Sequence, residues 1–262
     1  MQIIDTTVEV DLQDRASVEA YWDSKLVRAL YFDPKRVSRG VRDAALANQA
    51  FARRLKEAAG LDESRSLAAR CSCMIDKFAT DTGFAAGNQT LYLVLGCATT
   101  TIYTVGVGGE EVSVLCVDSL GGSERTLTLY LAHEFTHYAR KALLKSDIFK
   151  SCVGERLVTE GIAESYSKDM VADARDAECC IVDEDTVAWV DEHRAALDAY
   201  IRGGLESTEL MEPLFYMFAN VDFPVRTGYV YGYRAVRDYL KRHRLRTKDI
   251  LGIDWRRVLD PV

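Results

Sequence analysis

The stretch TLYLAHEFTHYARKALL, Thr128 to Leu144, places two histidines four positions apart around a glutamate. In an α-helix, residues at this spacing lie one turn apart on one face, so the imidazoles of His133 and His137 can reach a single ion. Glu134 lies about 100° around the helix from His133, which directs its carboxylate at a water on that ion and not at the ion itself. The spacing therefore predicts a hydrolytic zinc site.

A catalytic zinc ion takes three protein ligands and keeps one position for water, so a third ligand should lie on a nearby element. The stretch RLVTEGIAESYSKDM supplies Glu160, which follows His137 by 23 positions. That separation lets the first helix end and a second helix return after a loop. Glu164 falls one turn further on the same face, where it would accept the other imidazole N–H of a ligand histidine. Gly161 between them would allow close helix approach.

The flanking patterns predict an α+β fold in which a small β-sheet packs on a mainly helical part. Alternating β-branched and apolar residues predict three strands, and Gly108-Gly109 is typical of a hairpin turn. Ser123 predicts the N-cap of the histidine helix. We expect one domain over residues 1–262, with helices in 1–80, the sheet in 81–122 and the zinc-bearing helices in 123–262. The predicted strands are Leu91 to Cys97, Thr101 to Val107 and Glu111 to Asp118; further helices are predicted over 15–60, 65–78, 154–175, 187–202, 208–219 and 228–242.

Charge and composition exclude several classes of protein. The formal charge of −7 argues against general phosphate attraction, so we expect no nucleic-acid partner. The basic stretch from Arg234 to Lys248 is interpreted as a helix face and last turn, and the acidic stretch from Asp173 to His193 as solvated surface. The acidic N-terminal segment is unlike a signal peptide, and no apolar run reaches about 18 residues. These features predict a cytoplasmic protein without a membrane span, with seven reduced cysteines.

The combination of HEFTH with TEGIAES resembles the gluzincin metallopeptidases, in which the first glutamate is the third zinc ligand. More narrowly, the sequence is similar to a bacterial family of predicted zinc-dependent proteases that has an HExxH helix, an EGLAE-like helix and a C-terminal GYxxGY helix in that order. The third element is present as TGYVYGYRAVRDYL, Thr227 to Leu240. The resemblance covers roughly Leu91 to Leu259, and the first 80 or so residues match no family that we can name.

This resemblance implies one zinc ion per chain, bound by His133, His137 and Glu160, with Glu134 as general base and proton shuttle and Glu164 orienting a ligand. From the GYxxGY match, Tyr229 would donate a hydrogen bond to the developing oxyanion. Three other residues stay open for that role: Tyr231, Tyr233 and, as a second possible acid, His193, whose polar helix face favours a surface position.

The expected activity is hydrolysis of a peptide bond in a peptide or protein substrate, with the Glu111 to Asp118 strand as an edge that binds an extended peptide by strand addition. One alternative is a non-proteolytic zinc-binding pseudo-enzyme or peptide-binding regulatory domain. Intact Glu134 argues against it, because a structural site has no use for a general base. A helical scaffold without metal is a further alternative, and it would require all three motif matches to be accidental.

Overall fold

The computed structural model describes residues 1–7, 10–11, 14–31, 39–48, 67–85, 87, 89–96, 101–145, 148, 151–215 and 223–259. The chain divides into two compact units, one of residues 1–80 with 85–134 and one of residues 81–84 with 135–262. The prediction of a single domain stays a prediction. None of the described helices is long and apolar enough to cross a membrane, and the described cysteines form no disulfides with one another.

The first unit combines a sheet with helices. Its strands are β1 (Gln2–Asp5), β2 (Thr90–Val94), β3 (Ile102–Val107) and β4 (Glu110–Cys116), and its helices are α1 (Arg15–Asp23), α2 (Lys25–Leu30), α3 (Arg39–Ala47), most of α4 (Leu67–Thr82) and the first half of α5 (Glu124–Leu144). The α+β prediction is confirmed, and so are the three predicted strands, with ends shifted by at most three residues. Of the helical stretch predicted over 15–60, residues 32–38 and 49–60 lie outside the described residues.

The four described strands form a mixed sheet in the order β1-β2-β4-β3. β1 pairs with β2 and β2 with β4 in parallel, whereas β3 pairs with β4 as an antiparallel hairpin. The hairpin turn is Gly108-Gly109, both with positive φ, as a two-residue turn of this twist requires. The expectation that the Glu111 to Asp118 strand is an edge is wrong. β4 is flanked by β2 and β3, because the parallel strands β1 and β2 add on its other side.

The first helix is hydrogen-bonded to the sheet through the backbone of one residue, Leu95. Its N–H donates to the Tyr21 hydroxyl at 3.1 Å, and its carbonyl oxygen accepts from the Trp22 indole N–H at 3.0 Å and from the Tyr31 hydroxyl. All three aromatic side chains are buried. Buried polar atoms must find partners, so these bonds fix α1 and the residue after α2 against the end of β2.

The second unit is helical. After the last part of α5 it contains α6 (Val153–Met170), α7 (Asp176–Cys180), α8 (Glu184–Glu192), α9 (Arg194–Arg202), α10 (Met211–Phe215), α11 (Thr227–His243) and α12 (Trp255–Leu259). Helix α6 is the centre of this unit, since its residues from Val153 to Ser167 are buried except Arg156. A helix that is buried on all sides needs neighbours on every face.

Helices α6 and α11 cross at glycines. A Cβ atom on Gly232 of α11 would lie 2.2 Å from the Leu157 carbonyl oxygen of α6, so only glycine permits this approach. Gly154, near the start of α6, is covered by the Trp255 indole of α12 in the same manner. A Cβ atom on Gly161 would likewise collide with the Gly232 carbonyl oxygen, so the close approach expected at Gly161 is confirmed. It joins the helix of Glu160 to the helix of Tyr229.

Two predicted helices end or break earlier than expected. The helix predicted over 187–202 is interrupted at His193, whose Nδ1 lies 2.8 Å from the Trp189 carbonyl oxygen. Its imidazole stacks on the Trp189 ring, and a new helix starts at Arg194. The helix predicted over 154–175 ends at Met170. The described part of the helix predicted over 208–219 is Met211–Phe215, and residues 216–222 lie outside the described residues.

Candidate metal centre

Helix α5 carries both histidines. Ser123 caps it, since its hydroxyl accepts from the Thr126 N–H at 3.2 Å. Every residue from Leu131 to Arg140 is buried, including the two histidines and Glu134. Ionisable side chains inside a packed helix are unfavourable unless they are paired or bind a metal. The burial therefore separates this motif from two histidines that stand by chance on a solvated face.

Glu160 of α6 completes a three-residue donor group with the histidines. One ligand atom from each of His133, His137 and Glu160 lies within 4.8 Å of the other two. The Nε2 atom of His137 is 3.3 Å from Oε2 of Glu160. In a tetrahedral site with zinc–ligand bonds of about 2.0 to 2.1 Å, two ligand atoms are about 3.3 to 3.4 Å apart. Two imidazoles and one carboxylate are also a ligand set of catalytic zinc sites, so the residues fit this ion.

The carboxylate of Glu134 is held by two strand hydroxyls. Its Oε1 atom accepts from Thr104 Oγ1 at 2.7 Å and from Ser113 Oγ at 2.5 Å. Thr104 of β3 and Ser113 of β4 are directly opposite each other in the hairpin, and their hydroxyls are 3.3 Å apart. Both bonds go to the same oxygen, and no described residue donates a hydrogen bond to Oε2. This arrangement orients the carboxylate and keeps Oε2 available as a proton acceptor.

A buried ion pair joins α5 to α6 close to the donor group. Arg140, one turn beyond His137, is completely buried, and its guanidinium donates to Glu155 Oε1 at 2.6 and 3.0 Å. It also donates to the Thr159 hydroxyl and to the Leu251 carbonyl oxygen. Burial lowers the pKa of Arg140, and the charge of Glu155 opposes that shift. The network fixes the relative position of the helix of His137 and the helix of Glu160.

The tyrosines of α11 point to different partners. The hydroxyl of Tyr231 donates to Asp198 at 2.6 Å, and that of Tyr233 donates to Asp176 at 2.8 Å. Burial, followed by these carboxylates, raises the pKa of both tyrosines. The Tyr229 hydroxyl instead accepts from the Arg156 guanidinium at 3.4 Å, and Arg156 pairs with Glu160 at 2.7 Å. Of the three, Tyr229 is thus the one connected to a metal-donor residue through described contacts.

The other two candidate residues are His193 and Glu164. His193 stands at the α8–α9 junction and bonds to Trp189. Glu164 is completely buried in α6. Burial first and the charge of Glu164 second raise the pKa of the Cys179 thiol, to about 12, and that of the Cys180 thiol. The role of Glu164 as an orienting group for a ligand histidine stays a prediction.

Comparison with known families agrees with this geometry. Residues 99–260, more than half of the chain, match the family described as "Predicted Zn-dependent protease (DUF2268)". The chain belongs to this family. No curated protein and no solved structure gave a significant match.

The DUF2268 match contains the whole donor group together with β3, β4, α5, α6 and α11. It starts close to the beginning of the expected range of resemblance and leaves out β1, β2 and the first helices. The family description supports zinc-dependent protease chemistry in general terms. It assigns no residue, so the residue roles come from the geometry above.

Sequence reasoning missed the side chains that hold the site together. Arg156 is one helical turn before Glu160, a spacing that in sequence alone indicates an ordinary surface ion pair. Thr104 and Ser113 face each other because the Gly108-Gly109 turn sets the strand register, but the sequence did not show that this pair binds Glu134. Arg140 carried a signal, since a residue three positions after His137 falls on the same face of the helix as the histidines.

Proposed function

We propose that this DUF2268 chain is a zinc-dependent peptidase with a gluzincin arrangement, in which His133, His137 and Glu160 bind one zinc ion. The observation that carries the proposal is the buried group of two imidazoles and one carboxylate, with ligand atoms within 4.8 Å of one another. The family description supports it. The substrate class is a peptide or protein.

A bound zinc ion would supply a Lewis acid that polarises the scissile carbonyl and lowers the pKa of a water molecule to about 7. The chain supplies the proton transfers. Glu134, adjacent to a ligand histidine, accepts the proton of the attacking water at Oε2 and passes it to the leaving amine. Because Thr104 and Ser113 both donate to Oε1, the carboxylate keeps one orientation during both transfers.

Tyr229 donates a hydrogen bond to the negative charge that develops on the substrate carbonyl oxygen. Its hydroxyl accepts from the cationic Arg156, which leaves its own O–H proton for donation. Tyr231 and Tyr233 are weaker candidates, because their O–H groups already donate to half-buried aspartates. Glu164 is proposed as a support for a ligand histidine, on the basis of its complete burial one turn after Glu160.

An extended substrate would add to β3, the edge strand of the described sheet, since β4 lies between β2 and β3. β3 also carries Thr104, the hydroxyl that binds Glu134. A peptide paired with β3 would therefore lie along the strand that holds the general base.

The test is a comparison of the wild type with Glu160→Ala, Glu134→Gln and the exposed control Glu192→Ala. Elemental analysis is expected to show about one zinc per chain in the wild type, Glu134→Gln and Glu192→Ala, and little in Glu160→Ala. A peptide library should be cleaved by the wild type and Glu192→Ala, with Glu134→Gln reduced by about 100-fold or more.

Two outcomes would contradict the proposal in different ways. No zinc in the wild type, even after incubation with added metal, would remove the metal centre. The second outcome is a wild type that binds zinc but shows no peptide cleavage attributable to Glu134, measured as the difference from Glu134→Gln. That outcome would favour a non-proteolytic zinc-binding domain instead.

A further inference from the structure

The two carboxylate oxygens of Glu160 face different groups. Oε2 points to the metal-donor group, 3.3 Å from His137 Nε2, whereas Oε1 accepts from Arg156 at 2.7 Å. The Glu160 side chain is 2 % exposed and the Arg156 side chain 20 % exposed, so the pair is largely removed from solvent. A charge-assisted hydrogen bond of this length in a buried position holds its acceptor firmly.

The same guanidinium nitrogen reaches a second partner. The NH2 atom of Arg156 that binds Glu160 is also 3.4 Å from the Tyr229 hydroxyl. A terminal guanidinium nitrogen carries two N–H groups and can therefore donate to both acceptors at once. One nitrogen atom thus connects a metal-donor residue on α6 with a tyrosine on α11.

Aromatic contacts fix the guanidinium in this position. The Arg156 guanidinium lies 5.5 Å from the centre of the Phe215 ring, and Phe215 packs edge-to-face on Tyr229 with ring centres 5.6 Å apart. Tyr229 also contacts Arg226, whose guanidinium lies 3.9 Å from the centre of its ring. Arg156, Phe215 and Tyr229 therefore contact one another in a closed triangle, and cation–π attraction adds to the hydrogen bonds.

We propose that Arg156 is a positioning residue that makes Glu160 a ligand through Oε2 alone and at the same time places the Tyr229 hydroxyl. The inference rests on the proposed zinc site and deepens it. Because Oε1 is occupied by Arg156, Glu160 presents one oxygen, which leaves room for water and substrate at the same ion. Removal of Arg156 would free Oε1 to act as a second ligand atom and would release Tyr229.

The test compares Arg156→Met and Arg156→Lys with the wild type and with Arg15→Met. Arg15 is a matched control, since it pairs with Glu19 at the same four-residue spacing but is 61 % exposed. Zinc affinity is measured by competition with a chelator. Arg156→Met removes the hydrogen bond to the proposed ligand Glu160, so zinc binding is expected to weaken roughly 10-fold to 100-fold. Arg156→Lys keeps the positive charge but not the planar guanidinium with its several N–H donors, so its zinc affinity should fall roughly 3-fold to 10-fold.

The second readout is the visible absorption of the cobalt-substituted protein, which reports coordination geometry without any turnover. Arg156→Met is expected to show weaker bands, as a second carboxylate oxygen joins the metal, and Arg15→Met the wild-type spectrum. Tyr229→Phe keeps the Arg156–Glu160 bond, so its zinc affinity should stay at the wild-type value while kcat falls. Arg156→Met should lower both.

The outcomes separate this inference from the proposed function. Wild-type zinc affinity and an unchanged cobalt spectrum in Arg156→Met would overturn the inference even for an active peptidase. Zinc binding without peptide cleavage in the wild type would contradict the peptidase proposal. The zinc affinities and cobalt spectra of the Arg156 variants would still test the positioning role of Arg156. If Arg156→Met does not fold, as checked by circular dichroism, Arg156→Lys carries the same comparison. Failure of the wild type to bind zinc would overturn both.

Discussion

Gly161 of α6 lies directly against Gly232 of α11, so close that a Cβ atom on Gly161 would come within 2.2 Å of the Gly232 carbonyl oxygen. Backbone atoms cannot move aside as a flexible side chain can. The distance between the helix of Glu160 and the helix of Tyr229 is therefore set by the absence of side chains at this crossing.

Gly161→Ala is expected to destabilise the protein by about 2 kcal/mol or more, because the helices must separate, although alanine is the better helix former. The matched control is Gly40→Ala in α3, where a Cβ atom meets nothing within 4 Å. Gly40→Ala should raise the free energy of unfolding by about 0.5 to 1 kcal/mol. Urea unfolding of both variants checks the difference, and equal effects would refute the role of the crossing.

The Arg140–Glu155 pair should respond asymmetrically to substitution. Glu155→Gln leaves a completely buried arginine without its counter-charge and is expected to cost about 3 to 5 kcal/mol of unfolding free energy. Arg140→Met combined with Glu155→Leu removes both charges and should cost less than the worse single change. Chemical denaturation measures these values. As a control, Arg256→Met, which breaks a surface pair with Glu206, should change stability by less than about 0.5 kcal/mol.

The hydroxyl pair on Glu134 should affect catalysis and not metal binding. Ser113→Ala and Thr104→Val each remove one donor to Oε1 and are expected to lower kcat roughly 10-fold, with a larger loss in the double variant. Thr104→Ser keeps the hydroxyl and should retain most of the activity. Zinc content should stay at the wild-type level throughout. A wild-type kcat in Ser113→Ala with Thr104→Val would show that the hydroxyls do not orient the base.

Asp176 should contribute stability that depends on pH. Burial acts to raise its pKa, but the hydrogen bonds from Arg234 and Tyr233 outweigh burial, so the pKa is lowered in the folded state. A lowered folded pKa means that the contribution is complete above the unfolded value near 3.9 and is lost as pH falls through the folded pKa.

Asp176→Asn should therefore lower the unfolding free energy by about 1 kcal/mol at pH 7, and the difference from the wild type should shrink at pH 3. Urea unfolding at the two pH values measures it. Glu209→Gln serves as the control, because the exposed Glu209 carboxylate makes no ion pair with the described residues. A difference that is the same at pH 7 and pH 3 would contradict the assignment.

The sequence predicted the local features of this fold well, because they depend on near neighbours. The Ser123 cap, the glycine turn at 108–109 and the spacing of His133 and His137 all follow from short-range rules. Glu160 was predicted from helix spacing and the length of the intervening segment, and the structure places it in one donor group with both histidines.

The features that the sequence did not predict depend on long-range pairing. The short strand Gln2–Asp5 pairs with Thr90–Val94, far along the chain, and this pairing makes β4 an interior strand. Periodicity identifies a strand but not its partner. Arg156 was missed for a related reason, because its role depends on Phe215 and Tyr229, which lie on other helices.

The Gly108-Gly109 turn also determines how the Glu134 carboxylate is held. Because neighbouring side chains of a strand point to opposite faces, a slip of one residue in the β3–β4 ladder would turn either the Thr104 or the Ser113 hydroxyl away from Glu134. A two-residue turn with both residues at positive φ fixes a single register for the pairing of β3 with β4. The orientation of the proposed general base therefore depends on the strand register set at a hairpin turn that contains no chemically reactive side chain.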